Sequence, residues 1–510
     1  AVVAPDAGAP AAVQRAAGGP GEFAFSVNLS PAAYAVALPA GAGCLEAPRL
    51  FAGREFEQNA GRAFRLAGWR VPAVHVPAGK TRTLSLRWAD GADMPGALAA
   101  LGAAAEAVAT LTDSSAVAPR FETGFRTLAA SCLMNVSYPV FLPWEVIASY
   151  TPGKTFGGLY SWDAGMHGLG LLEVDPDAAV ECLNVYLCGP EDPVDFIWHG
   201  TPLPVQAYLL NEIMQRTGDA GLLEYFYPRA RRLYQYLAGH AAGSPTNRFG
   251  SGLLNTYPLF YNSGGWDDLP PQQAVHTRGL EDEITPVCST AHAVRFAKFM
   301  ARFAERVGRT ADIAGYLSDI ARGVLAIERT WDEDAGVYSY VHHRQFKPFR
   351  HESGANFNLT LDAMTPLIGG GIRAECAEAL WSQLRSPDRY WTPVGISTVD
   401  QTAPYYRADG YWNGCVWIPH QWFLWKAALD WGQADLARDI PRRAAEVWER
   451  EVRRTRCTFE FFRIRTGEGD GYPHFAGDPV PVEQLAAMLD AMEANGWCAE
   501  TAGILTGYLP

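Results

Sequence analysis

The stretch Val205-Gln-Ala-Tyr-Leu-Leu-Asn-Glu-Ile-Met-Gln-Arg-Thr-Gly-Asp-Ala-Gly-Leu-Leu-Glu-Tyr-Phe-Tyr227 holds two helices and the break between them. Apolar side chains recur at the spacing of a helix that buries one stripe. Thr217-Gly218 stops the first helix and Asp219 caps the second. Glycine accepts the left-handed backbone of a helix end, and aspartate accepts from unpaired amides at a helix start. The same periodicity occurs near 121–136, 176–188, 202–217, 219–240, 281–308 and 310–331. It returns near 357–368, 371–383, 412–432, 433–452 and 482–496. Neighbouring segments are joined alternately by tight polar turns and by long loops rich in Gly, Pro and aromatic residues. This alternation predicts helical hairpins closed into a ring, an (α/α)6 barrel in a mainly α chain. No sequence period recurs along the chain, which argues against a linear solenoid. In such a ring the long loops gather at one end, and a site is expected there.

From Glu22 to Trp88 the pattern alternates instead, as in Phe23-Ala-Phe-Ser-Val27 and Thr81-Arg-Thr-Leu-Ser-Leu-Arg-Trp88. A period of two marks strands with one buried face. The predicted division is a small N-terminal β-sandwich-like domain over 1–94, an Ala-rich helical linker over 95–120 and the barrel over 121–510. The Ala-, Gly- and Pro-rich opening, Ala1 to Pro20, reads as the start of a processed or trimmed chain. A cytoplasmic and an exported location both stay open.

Composition narrows the function. With 48% hydrophobic and 19% charged residues among 510, a large core is available and disorder is excluded for most of the length. A net charge of −13 argues against nucleic acid or an anionic membrane as partner, since both need clustered Lys and Arg. No apolar run reaches the length of a membrane span. The 16 Trp and 21 Tyr suit a cleft with flat apolar walls and polar rims, the surface a small-molecule carbohydrate prefers. Nine cysteines are scattered without a C-x-x-C pair, so they read as mostly buried thiols, and no metal or organic cofactor is implied.

Four segments carry candidate chemistry. In Tyr160-Ser-Trp-Asp-Ala-Gly-Met-His167, Asp163 could grip sugar hydroxyls while Trp162 stacks on the ring; the competing reading is a helix cap beside a core indole. In Tyr261-Asn-Ser-Gly-Gly-Trp-Asp-Asp-Leu-Pro-Pro-Gln272, Asp267 and Asp268 lie beside Trp266 in a glycine-rich loop. A carboxyl desolvated by an indole has the raised pKa of a general acid, although an ordinary turn explains the same residues. Asp409-Gly-Tyr-Trp-Asn-Gly-Cys-Val-Trp-Ile-Pro-His420 places Tyr411, Trp412 and Trp417 around a glycine turn, as a sugar-stacking wall would. In Thr458-Phe-Glu-Phe-Phe-Arg-Ile-Arg-Thr-Gly-Glu-Gly469, Glu460 is a carboxylate among phenylalanines, costly to bury unless paired, protonated or working.

Together these segments resemble glycoside hydrolase family 63 and its relatives, the trehalases and the mannosylglycerate and glucosylglycerate hydrolases, over roughly Phe121 to Pro479. Trp198-His-Gly-Thr-Pro-Leu-Pro-Val-Gln206 is similar to a loop of that family and brings in His199. Trp391-Thr-Pro-Val-Gly-Ile396 and Tyr411-Trp-Asn-Gly-Cys-Val-Trp417 look like its W-[ST]-P-x-G and Y-W-R-G-P-[VI]-W motifs, with Asn413 and Cys415 in place of Arg and Pro. Ser263-Gly-Gly-Trp-Asp-Asp-Leu-Pro270 is similar to the S-G-x-D-D-Y-P acid loop with one extra residue, so the resemblance makes Asp267 the general acid and Asp268 the alternative. It makes Glu460, followed by Arg465-Thr-Gly467, the general base, and it places His474 beside the site. Trp162, Asp163, His199, Trp266, Gln272, Tyr411, Trp412 and Trp417 would line the sugar subsite.

The implied reaction is inverting hydrolysis of an α-linked glucoside or related small glycoside. Protonated Asp267 gives its proton to the glycosidic oxygen, and Glu460 activates a water on the opposite face. Two rivals stand beside it. A polysaccharide lyase or sugar epimerase on the same barrel would use His199, His276, Tyr472 or His474 as acid and base. A non-catalytic carbohydrate-binding barrel would keep the indoles and dispense with paired carboxylates.

Overall fold

The computed structural model describes residues 117–141, 146–150, 159–189, 192, 196, 199–408, 410–455 and 459–470, and strand segments between residues 2 and 87. These fall in two compact units, one holding the N-terminal strands and the other the helices. In the first, Ala12–Ala16, Glu22–Leu29 and Lys80–Arg87 form an antiparallel sheet with Phe25 opposite Leu84. In this same unit Val136–Phe141 pairs with Arg62–Ala63 on one side and with Val146–Tyr150 on the other. The chain therefore returns to the β unit after its first long helix. The helix expected within the 95–120 linker lies outside the described residues.

The helical unit contains α1 (Glu122–Met134), α2 (Ser161–Val174), α3 (Pro176–Tyr186), α4 (Val205–Thr217), α5 (Ala220–Leu237) and α6 (Pro270–Thr277). It continues with α7 (Cys288–Arg306), α8 (Thr310–Glu328), α9 (Thr365–Gly369), α10 (Ala374–Arg385), α11 (Ile418–Asp430) and α12 (Ala434–Thr455). The break at 217–219 forms as its residues dictate. Gly218 ends α4 with φ 62°, and the Asp219 carboxylate accepts from the amides of Gly221 and Leu222 at 2.8 and 3.1 Å. Helices α2, α4, α7, α9 and α11 touch in that order and make the inner layer. Helix α4 is buried nearly all round, as a helix walled on every side must be. Outer helices α5 and α12 carry their charges on one face. Glu449 of α12 accepts from the Gly124 amide of α1 at 2.5 Å, which joins the last described helix to the first. The fold is the expected (α/α)6 barrel; the helix expected near 482–496 lies outside the described residues.

Every inner-to-outer connection is short, such as Asp175 alone between α2 and α3, or residues 307–309 between α7 and α8. Among the described helices every outer-to-inner connection is long, such as 187–204, 238–287, 329–364 and 386–417. All long connections therefore precede the N-termini of inner helices, at one end of the barrel. This geometry positions the site.

Three helix expectations need correction. In 281–308, Ile284–Thr285 is a strand and the helix starts at Cys288, because β-branched residues lead into Pro286, which disfavours helix before it. In 357–368 a 3-10 turn, Leu361–Met364, precedes the five-residue α9. There the Asn356 side chain accepts from the Asn358 amide at 2.7 Å, the side-chain competition that keeps backbone out of helix. In 412–432 the helix begins only at Ile418, after the turns around Gly410 and Gly414. Conversely, the Pro270–Thr277 helix has no counterpart in the apolar periodicity.

A close approach within the inner layer gives a test of the packing. A Cβ on Gly165 of α2 would lie 2.4 Å from the Val205 Cβ at the start of α4. Gly165→Val is expected to cost about 1–3 kcal/mol by overpacking. A thermal melt should show a clear fall, and an unchanged melting temperature would contradict this helix contact.

Candidate active site

The loop before α7 holds itself together through Asn262. Its side-chain oxygen accepts from the amides of Gly264, Gly265 and Trp266 at 3.1, 2.7 and 2.9 Å, and its Nδ2 donates to Asp267 Oδ1 at 2.7 Å. Gly264 and Gly265 are required here. A Cβ on Gly264 would meet the Trp266 indole at 2.1 Å; Gly265 has φ 83° and faces the Trp162 ring. Tyr261 also donates to Asp267, at 3.1 Å. Burial pushes the Asp267 carboxyl above the usual carboxylate range, and the bonds from Tyr261 and Asn262 pull it partly back. Asp268 turns the other way and accepts from the Trp412 amide at 2.6 Å, linking this loop to the one before α11. Burial pushes its carboxyl up as well, against that amide.

The loop before α11 delivers Tyr411, whose hydroxyl donates to Glu460 Oε2 at 2.9 Å. Glu460 arrives there because the Phe461–Phe462 strand is stitched to Val416 by two backbone bonds of 2.9 Å. The Trp417 indole donates to the Tyr411 carbonyl at 3.1 Å and stacks on Trp412, ring centroids 3.6 Å apart. Trp412 meets Trp266 edge to face at 5.5 Å.

Asp163 sits in the first turn of α2, where the helix dipole favours a carboxylate. The α2 N-cap is Tyr160, so Asp163 is not the capping residue. Burial, augmented by the charges of Asp267 and Glu460 and opposed by a backbone hydrogen bond, pushes its carboxyl up to about 7. Asp267 and Glu460 also raise the Tyr411 hydroxyl, after burial itself. Asp163, Asp267, Tyr411 and Glu460, from four distant stretches of chain, therefore share one electrostatic environment at the long-loop end of the barrel.

The raised Asp163 carboxyl makes stability depend on pH. Between the ordinary carboxylate pKa and about 7, the folded chain holds a proton that the unfolded chain releases, so stability falls as pH rises through that window. Asp163→Asn removes this dependence. Thermal melts at several pH values should show the variant gaining on the native chain as pH rises from below the window to above it. A constant difference would contradict the burial of Asp163 among the other carboxyls.

Other expected residues take different parts. Trp266 and Trp412 are each 2% exposed and Trp417 is 7% exposed. The indoles converge beside the carboxyls but spend their faces largely on one another, forming an aromatic floor under them rather than an open wall. The Gln272 side chain accepts from the Ser263 amide at 2.9 Å and donates to the Trp266 carbonyl at 2.5 Å, so it braces this loop from α6. His199 exchanges two bonds of 3.1 Å with Ser161, anchoring the start of α2, and its ring meets Tyr160 edge on. His276 is engaged by Glu281 and by the Tyr261 carbonyl, a brace and not a poised base. His474 and Tyr472 lie outside the described residues. Two residues of this region escaped the sequence reading: Asn262, whose place before Gly-Gly is the signal of a side-chain-closed turn, and His420, for which no sequence signal stands out.

The fold and site define an (α/α)6-barrel protein whose long loops gather carboxyls over an aromatic floor. Residues 158–476 match the mannosylglycerate hydrolase MGH1-like glycoside hydrolase domain, and the chain belongs to that family. It is 33% identical over 156 residues to a mannosylglycerate hydrolase of Thermus thermophilus, covering 30% of this chain and 34% of that one. It is 27% identical over 155 residues to mannosylglycerate hydrolase MGH2 of Selaginella moellendorffii, covering 30% and 28% respectively. The chain thus matches only about a third of the length of these relatives. The crystal structure of a family 63 mannosylglycerate hydrolase from Thermus thermophilus, with Tris and D-glycerate, superposes with a TM-score of 0.50 at 18% identity. That likeness, over 69% of this chain and 96% of that one, concerns the fold alone. No helix among the described residues is long and apolar enough to cross a membrane.

Proposed function

We propose that this chain is an inverting glycoside hydrolase of small α-linked glycosides, with Asp267 as general acid and Glu460 as general base. The observation that carries the reading is the meeting of Asp267, Glu460 and Asp163 in one environment, each delivered by a separate stretch of chain at the long-loop end of the barrel. Asp267 has the desolvated carboxyl that a proton donor needs. Asp268, drawn off to the Trp412 amide, is less suited to reach a leaving group. Glu460, held by Tyr411, is oriented to take a proton from water. Asp163 and Trp162 grip and cover the sugar. The named relatives make glycosylglycerates the first substrates to try, mannosylglycerate ahead of glucosylglycerate. The lyase and epimerase reading finds less support, since both ring nitrogens of His276 are engaged by Glu281 and the Tyr261 carbonyl.

The test is a hydrolysis screen with mannosylglycerate, glucosylglycerate and α-linked disaccharides, scored by release of free sugar. Hydrolysis of at least one is expected. An unsaturated or epimerised product, or binding without turnover across the set, would overturn the reading.

A further inference from the structure

His420 is the third residue of α11, 4% exposed, and its Nε2 lies 2.8 Å from the carbonyl of Gly264 in the acid loop. A carbonyl can only accept, so Nε2 carries the proton. The imidazole lies edge to face on Trp266, centroids 3.4 Å apart, and within 5.1 Å of the Trp162 and Trp412 rings. It is thus the hub of the aromatic floor as well as a donor to the loop.

The bonds inside the loop, through Asn262, fix its shape but not its place. Gln272 braces it from α6, which directly follows the loop in the chain. Two bonds leave the loop: the Trp412 amide ties Asp268 to the loop before α11, and His420 ties the Gly264 carbonyl to the wall of the barrel. The bond from His420 reaches the Gly264 peptide group, whose amide is already held by Asn262, the residue that also holds Asp267.

We infer that His420 is a positioning residue for proton donation: by anchoring the Gly264 carbonyl to α11 it sets where Asp267 stands relative to Glu460. The inference rests on the acid assignment made above. Burial keeps the His420 imidazole neutral, well below the usual histidine range, and the neighbouring His292 adds to this. The anchor therefore persists throughout the working pH range. Its Nδ1 has no hydrogen-bond partner among the described residues, so an apolar replacement forfeits a single bond.

A misplaced acid is felt most by substrates that need protonation. The experiment compares p-nitrophenyl α-mannoside, whose leaving group needs little help, with mannosylglycerate, whose alkoxide needs a proton. His420→Leu is expected to lower kcat on mannosylglycerate by about 10–100-fold, the scale of a catalytic group displaced by an ångström. It should lower kcat on the aryl glycoside several-fold less and leave KM within a few-fold. His420→Gln, whose amide NH2 can reach the same carbonyl, should restore most of the loss. If Leu does not fold, Phe keeps the ring and removes the donor. Equal losses on both substrates, no loss, or failure of Gln to rescue would each overturn the inference. Asp267→Asn run alongside separates the two levels. If that variant discriminates between the leaving groups and His420→Leu does not, positioning fails alone; if Asp267→Asn does not discriminate, the acid assignment fails and takes this inference with it.

Discussion

Glu460→Gln is expected to lower kcat by two to four orders of magnitude, about 10²–10⁴-fold, the usual loss for a removed general base. Gln keeps the volume and can still take the Tyr411 hydroxyl bond, which in the native chain is 2.9 Å from Glu460 Oε2. Substrate binding should therefore change little and the loss should fall on kcat. The electrostatics should shift too: Glu460 is one of two charges that raise Asp163, so removing it should lower the Asp163 carboxyl. Azide needs no deprotonation to attack. Added to Glu460→Gln it should restore turnover and give a glycosyl azide of inverted configuration. An active Glu460→Gln enzyme, or azide rescue with retained configuration, would remove Glu460 from the role of base.

Asp267→Asn should be as damaging on natural substrates, and damaging in a different way. An alkoxide cannot leave without a proton, whereas a nitrophenolate can. The variant should lose about 10²–10⁴-fold on mannosylglycerate and much less on an aryl glycoside. The alternative outcome is specific. If Asp267→Asn keeps full activity and Asp268→Asn is inert, the acid is the neighbouring residue. The bond from the Trp412 amide to Asp268 would then be an orienting contact, not a structural link. Melting temperatures near that of the native chain would exclude unfolding as the cause in either case.

The barrel was legible because its hairpins punctuate themselves. Gly218 and Asp219 do what glycine and aspartate do at helix ends wherever they occur, so the sequence alone placed that break correctly. Amphipathic spacing found the other long helices but not α2, Ser161–Val174. It misjudged 281–287 and 357–364, where proline and side-chain-closed turns override apolar spacing over short distances. Neither kind of override shows up as a change in hydrophobic period.

Of the candidate site, the charged residues were legible in the sequence and the side chains that brace them less so. Asp267, Glu460 and Asp163 stood out because carboxyls beside aromatic residues are expensive unless they work. Gln272 looked equally like a ligand for sugar, and only the two bonds to Ser263 and Trp266 show that both ends of its amide are already used. The indoles posed a similar problem. Sequence spacing cannot tell a tryptophan that offers its face to a sugar from one that gives it to another tryptophan, as Trp412 does to Trp417. His420 was invisible because its partner, the Gly264 carbonyl, is a backbone atom in a distant loop, and backbone acceptors leave no mark on sequence.

The anomeric configuration of the first product formed tests the account most directly. Proton NMR, recorded within the first turnovers on an α-linked substrate and before mutarotation, distinguishes the two anomers of the released sugar. An acid and a base that act on opposite faces, with roughly 6.5–9.5 Å between their carboxyls for the water, release the β-anomer first. Appearance of the α-anomer first would mean retention through a covalent intermediate, and would contradict the assignment of Asp267 and Glu460 as an inverting pair.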